Sequence, residues 1–172
     1  MTALPGRHRP RWLLTAFVLC LTSAVTGCAA SLPMDVDGTL GRVRSDRVLR
    51  VGASHHPPQV VQPAEPDGEP NGTEVDLVTG YADHPGARVE WTMGSEASLV
   101  EGLGEGDLDL AVAGFEATSP WAADVALTRP YTTDTGRGGR RIDRVLAAPA
   151  GENALLVNLE RWLDTLPEEQ LR

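Results

Sequence analysis

Short apolar runs and helical stripes alternate along most of this chain. Val48 to Val51 reads as a first strand ending at Gly52, Arg88 to Thr92 as a second, Leu108 to Ala113 as a third and Val145 to Ala148 as a fourth. The third is an apolar run that stops at Gly114, which predicts burial on both faces, as in parallel sheets. Between the strands the spacing becomes helical. Thr73 to Ala82 reads as a short helix, with Thr73 as N-cap and Glu74 and Asp76 in its first turn; Gly80 weakens it and Pro85-Gly86 ends it. Ser95 is the N-cap candidate of the next helix, whose Leu99, Val100 and Leu103 share one face and which stops in "GEGD". Leu155, Leu159, Trp162, Leu163 and Leu166 mark one face of a C-terminal helix. Strands alternating with helices predict an α/β fold, a mostly parallel sheet flanked by helices, with binding loops at the carboxyl ends of the strands. The first and third strands should be neighbours, so that loops His55–Gln59 and Gly114–Trp121 face each other.

The segments outside this pattern differ in kind. Arg7, Arg9 and Arg11 precede an apolar stretch from Trp12 to Val25, and small residues follow. That is the layout of a secretory signal, too short for an ordinary membrane span. "VTGC", Val25 to Cys28, resembles the lipobox of bacterial lipoproteins. The resemblance implies cleavage after residue 27 and a lipid on Cys28, and a plain secretory signal is the other reading. Residues 28–47 then form a tether and lead-in, and residues 48–172 a single domain. The other cysteine, Cys20, leaves with the signal, so one mature chain has no internal disulfide. "PPQVVQPAEPDGEPNG" is a proline-rich loop with turn signals at Asp67-Gly68 and Asn71-Gly72. Thr132 to Arg141, within the short segment 131–143, is polar and glycine-rich and reads as a mobile loop.

Charge narrows the function. The chain has 15 basic residues, all arginine, and 24 acidic ones, for a net charge of −9. Removing three arginines with the signal leaves −12. A chain this acidic repels phosphate backbones, so nucleic acid is not its partner. No cofactor motif is present. His55 and His56 are neighbours, but adjacent side chains in an extended loop diverge, and no second His or Cys pair accompanies them, so they read as loop residues and not as a metal site. Trp91 and Trp162 read as core, and Asp107 and Asp109 as a turn and a solvated strand end. Trp121 either offers an exposed contact or covers the open end of the sheet. No nucleophile elbow or other catalytic spacing is found, and the chain reads as a binding protein, not an enzyme.

The order of motifs carries a resemblance. "GTLGRVRSDRVLRVGASHHPP", "GEPNGTEVDLV" and "VEWTMGSEASLVEGLGEGDLDLAVAGFEATSPWAADVALTRPY" together resemble lobe one of family 3 extracellular solute-binding proteins, receptors of polar amino-acid ABC importers with a type II periplasmic-binding-protein fold. "RVLAAPAGENALLVNLERWLDTL" is similar to the strand and helix by which that family returns to lobe one. The family's second lobe, inserted after the position of Tyr131, has no counterpart here, because only residues 131–143 stand in its place. The resemblance implies a cleft lined by His55, His56, Glu96, Gly114, Glu116, Thr118 and Trp121. It also implies that the grip on an amino-acid carboxylate is lost. The family's arginine position falls on Trp121, a frequent hydroxyl position on Glu116 and a ligand-stacking aromatic on Glu96, while Thr118 keeps a matching hydroxyl. Replacing the cation and adding a carboxylate reverses the local charge, and one lobe offers half a site.

These readings lead to a lipid-anchored, single-lobe solute-binding-like protein on the extracytoplasmic face of the cell membrane. Three roles stay open: an accessory or sensing component that contacts a membrane transporter, a direct but weak receptor for a small solute of an ABC importer, cationic or not, or a structural surface lipoprotein without ligand. Cys28→Ala should release the protein from the membrane fraction or leave it unprocessed. A wild-type protein without acyl groups that is freely soluble would contradict the anchor.

Overall fold

A computed structural model describes residues 35–65 and 68–171. The signal, the lipobox and Cys28 lie outside the described residues. The elements in order are α1 (Thr39–Asp46), β1 (Val48–Ala53), α2 (Thr73–Asp83), β2 (Arg88–Met93), α3 (Glu96–Glu105), β3 (Leu110–Val112), β4 (Val125–Leu127), β5 (Thr132–Thr135), β6 (Arg141–Arg144), β7 (Ala147–Pro149) and α4 (Asn153–Leu163). Five strands form one sheet in the order β2-β1-β3-β7-β4. β1 is parallel to β2 and to β3, with Val51 opposite Trp91 and Leu110. β7 runs against both β3 and β4, so it alone is reversed. The fold is therefore the mostly parallel, helix-flanked sheet that the alternation of elements predicts, with β1 beside β3 and the C-terminal strand antiparallel.

Helices cover both faces of the sheet. Leu110 and Val112 point into a core with Val43, Val78, Tyr81, Leu155 and Leu159 from α1, α2 and α4. Ala111 and Ala113 point the other way, into a cluster with Leu99, Val100 and Leu103 of α3. Residues 145–148 divide in the same manner, Leu146 and Ala148 on one side and Val145 and Ala147 on the other. Burial on both faces is why the third and fourth strands show no polar alternation.

Several local readings are revised. β1 does not end at Gly52 but runs to Ala53. A Cβ on Gly52 would stand 2.6 Å from a Leu99 methyl and 2.7 Å from a Leu108 methyl, so this glycine admits the close approach of α3 to the sheet. Ser95 caps α3 as expected, accepting the Ser98 N–H at 3.2 Å, and Gly106 closes it in the left-handed region at φ 78°. Thr73, by contrast, is the first helical residue of α2 and provides no side-chain cap. Residues 38–47, legible only as a lead-in, contain α1, which buries Leu40 and Val43. The backbone N–H groups of Asp37, just before the helix cap, and of Thr39, the first helical residue, donate to the buried Glu152 carboxylate at 2.7 and 3.0 Å. Asp109 is not a solvated end: it is fully buried, accepts the Arg50 backbone and guanidinium N–H groups at 2.9 and 2.8 Å, and also pairs with Arg42. A buried carboxylate is tolerable only with such partners. Trp162 packs edge to face on Tyr81 at 5.8 Å, and Trp91 is half-buried at the sheet edge.

The largest revision concerns Thr132 to Arg141. This stretch is an ordered β-hairpin, β5 against β6, with Thr132 opposite Arg144 and Thr135 opposite Arg141. Half-buried and exposed residues alternate along β5, and on β6 the buried positions are Ile142, 8% exposed, and Arg144. The backbone pairing and this one apolar anchor order a segment whose composition reads as a loop.

The C-terminal helix carries the return to the sheet. Leu159→Ala removes a fully buried side chain and should cost about 2–5 kcal/mol, as large-to-small core changes do. Urea unfolding should show a lower midpoint with an unchanged slope; a midpoint equal to wild type would place this helix outside the cooperative unit.

Candidate functional site

The site is built where β1 and β3 end side by side. Their following loops meet: the His56 ring lies against Gly114, close enough that any Cβ there would collide with it, and Gly114 takes φ 62°. Beside this contact lies a cleft of about 210 Å³ lined by His56, Glu96, Gly114, Phe115, Glu116, Thr118, Ser119 and Pro120. Five of the seven residues expected at the cleft thus line it together. His55 turns away into solvent, where its Nδ1 accepts the Gln62 backbone N–H at 3.1 Å. Trp121 stands at the side, half-buried against the α3 cluster, and donates its indole N–H to Glu96 at 3.1 Å. It therefore covers the end of the sheet and at the same time engages a cleft acid.

Below the cleft lies a buried polar network. Glu74, in the first turn of α2, is fully buried. Its carboxylate accepts the Gly114 backbone N–H at 2.9 Å and the Tyr131 hydroxyl at 2.8 Å. Burial pushes its pKa up from 4.5 to about 7, against the opposing pull of the Gly114 N–H, the Tyr131 hydroxyl and the Arg144 charge. The Tyr131 hydroxyl is raised as well, by burial first and then by the neighbouring carboxylate. Arg144, on β6, donates to the Gly114 carbonyl at 2.6 Å and to Asp134 at 2.7 Å. Asp134 also accepts from Gln59 at 3.1 Å. The loop after β1, the loop after β3, the start of α2 and the hairpin are thus joined through one set of hydrogen bonds.

The hairpin reaches into the site itself. Its Asp143 carbonyl accepts the Ala117 N–H at 2.9 Å, and Phe115 accepts the Val145 N–H at 3.1 Å, so the loop after β3 pairs with β6 as a short extra strand. Near the hairpin tip, Arg140 grips Glu116 with two guanidinium N–H groups, at 2.7 and 2.9 Å. That contact, before all else, lowers the Glu116 pKa. The expected reversal of charge is therefore cancelled within the chain: Glu116 has a cation of its own. Arg140, Arg144, Glu74 and Asp134 escaped the sequence reading. Their partners lie 10 to 75 residues away, and no periodicity marks them. Among the described residues no cluster of three or more His, Cys, Asp or Glu side chains is placed to hold a metal ion, and no helix is long and apolar enough to cross a membrane.

A helix-flanked, mostly parallel sheet with its cleft at the strand ends defines a single lobe of the periplasmic-binding-protein type. Residues 49–171 match the bacterial extracellular solute-binding proteins, family 3, and the chain belongs to that family. Among solved structures it is similar to the arginine-bound form of domain 1 from TmArgBP, with 25% identity, a TM-score of 0.63, and coverage of 73% of this chain and 98% of that one. The arginine-bound form of a truncated ArgBP from T. maritima shares the fold at 14% identity and TM-score 0.63, covering 74% of this chain and 100% of that one. So does an ancestral amino-acid-binding protein described as a precursor of cyclohexadienyl dehydratase, at 14% identity and TM-score 0.64, with 73% and 92% covered. No curated protein sequence matches the chain. The family and these similar structures are mostly binding proteins, and the family is extracellular.

The Glu74 network makes stability depend on pH. A carboxyl whose folded pKa lies near 7, above its ordinary 4.5, keeps its proton in the folded chain after the unfolded chain has lost it. Its contribution is therefore most favourable below about pH 4.5 and is lost as pH rises through about 7. Relative to Glu74→Gln, wild-type stability should fall by on the order of 3 kcal/mol between pH 4.5 and pH 8. Parallel stability–pH curves for the two proteins would show that Glu74 titrates alike in the folded and unfolded chains and would overturn this account.

Proposed function

We propose that this protein is a lipid-anchored, single-lobe solute-binding-like component on the extracytoplasmic face of the cell membrane. Residues 1–27 are its signal peptide, 28–47 its tether and lead-in, and 48–172 its lobe. In this reading it acts as an accessory or sensing part of a membrane transporter and is neither an enzyme nor a self-sufficient amino-acid receptor. The observation that supports this most directly is the pairing of the loop after β3 with the hairpin. The Ala117 N–H is spent on Asp143 and the Gly114 N–H on Glu74, so donors that would face a ligand carboxylate already have partners. Trp121 adds no cation, and the only one in contact with the cleft acids among the described residues, Arg140, is held by Glu116. A ligand carboxylate would have to break these bonds and leave buried groups unsatisfied, at roughly 1–3 kcal/mol each. The missing second lobe is the weaker argument, since domain 1 from TmArgBP has an arginine-bound form.

A second reading has its own support. Glu96 and Glu116 both line the cleft, and domain 1 from TmArgBP holds a cationic amino acid. On this reading the lobe is a direct, weak receptor for a small cation.

Calorimetric titration of the chain against amino acids, arginine included, and polyamines tests the two. Dissociation constants for amino acids should be millimolar or weaker, about −4 kcal/mol or smaller in magnitude. A micromolar constant for glutamate, glutamine or histidine would overturn the lost grip. A micromolar constant for a polyamine, weakened by Glu116→Gln, would establish the second reading over the first.

A further inference from the structure

The hairpin that stands in place of a second lobe brings a guanidinium to Glu116 at the edge of the cleft. Arg140 meets Glu116 in a two-point contact, each carboxylate oxygen receiving one N–H, at 2.7 and 2.9 Å. This is the geometry by which a planar guanidinium fork recognises a carboxylate, and an ammonium cannot reproduce it. Glu116 is itself a lining residue of the cleft.

Arg140 can let go of Glu116 by turning its side chain alone. It follows Gly138 and Gly139, both in the left-handed region at φ 73° and 78°, and neither has a heavy atom within 4 Å of where its Cβ would be. The Arg140 side chain is 59% exposed. Below it the hairpin is fixed, through Ile142 in the core and Arg144 against Gly114 and Asp134. The tip backbone is closed, with the Gly136 N–H on the Arg140 carbonyl at 2.8 Å and the Gly139 N–H on the Gly136 carbonyl at 3.1 Å, so the exposed Arg140 side chain leaves Glu116 by rotation about its own bonds, without unfolding anything.

We propose that Arg140 is an internal ligand of the cleft: its guanidinium holds the place at Glu116 that a guanidinium-bearing solute takes, so the hairpin tip and the solute compete. This rests on the reading of the lobe as a receptor for a small cation and specifies the class of cation. A cis competitor lowers apparent affinity by the fraction of time it leaves the site open. Exposed ion pairs hold their partners only by factors of a few, so the competition is reversible at modest solute concentration.

The test uses the full chain in detergent, titrated calorimetrically with agmatine, and with putrescine as an amine of similar length that lacks the guanidinium. Arg140→Gln and Arg140→Ala should each bind agmatine about three- to ten-fold more tightly than wild type. Glu116→Gln should weaken agmatine in the Arg140→Ala background, and putrescine should gain less than agmatine from loss of Arg140. In wild type, saturating agmatine should shift the Arg140 guanidinium NMR signal toward that of a free arginine side chain, as it is displaced from Glu116. If agmatine binds wild type and both Arg140 variants equally, Arg140 is no competitor and the inference fails while the cation-receptor reading stands. If none of the proteins binds either cation, the receptor reading fails and the inference with it.

Discussion

The Glu74 carboxylate is the contact on which the upper end of the molecule depends. A buried carboxylate costs several kcal/mol unless donors meet it, and here the donors come from two other parts of the chain. The Gly114 N–H belongs to the loop after β3, and the Tyr131 hydroxyl stands at the root of the hairpin. Glu74 itself belongs to the first turn of α2, where the helix dipole favours a negative charge. One side chain therefore sets the distance between a helix, a strand end and the segment that leads to β5. Arg144 completes the arrangement from the opposite side by taking the Gly114 carbonyl. Both backbone groups of Gly114 are satisfied, and the residue holds a left-handed conformation with the His56 ring packed against it.

The hairpin follows from that frame. A lobe deprived of its partner would expose the strand ends and the loop after β3, with backbone groups turned to solvent. β6 covers part of that loop by pairing with Glu116 and Ala117, and Thr128 returns the chain to the sheet by accepting the Leu146 N–H at 3.0 Å. The charges follow the same economy. The chain carries a net charge of −9, yet the acids around the site are met one by one: Glu116 by Arg140, Asp134 by Arg144, Glu96 by the Trp121 indole. The far end of the sheet is organised likewise, with Asp109 held between Arg42 and Arg50. Exposed pairs such as Arg140 with Glu116 add little to stability. Their consequence is chemical, since they decide which groups of the cleft are left for a ligand.

Much of the fold was legible because its signals are local or periodic. Of the stripe Leu155, Leu159, Trp162, Leu163 and Leu166, the helix holds the first four and buries Leu155, Leu159 and Leu163, while Trp162 and Leu166 are partly buried against the same core. Ser95 and Gly106 bracket α3 with side-chain and backbone chemistry that needs no distant partner. The apolar run into Gly114 placed β3 in the sheet beside β1, and from that the meeting of the two loops followed; the cleft residues came from the resemblance of the motifs, and five of them line the cleft. The motif order pointed to the family to which residues 49–171 belong.

What the sequence by itself determined, then, is the order of helices and strands, the sheet they form and the meeting of the two loops at its end, because hydrophobic periodicity and caps act over a few residues. Only the tertiary structure decided the state of that cleft. A polar stretch such as "TTDTGRGGRR" has the composition of a loop, and it becomes a hairpin because β6 finds backbone partners at Phe115 and Ala117 and a core for Ile142. Glu74 reads as a helix-dipole acid and becomes a buried anchor because Gly114, forty residues on, brings it a donor. Glu116 reads as an unpaired charge and becomes half of an ion pair because the hairpin delivers Arg140. Long-range hydrogen bonds and ion pairs of this kind leave no period in a sequence, since either partner is an ordinary surface residue until the fold sets the two side by side.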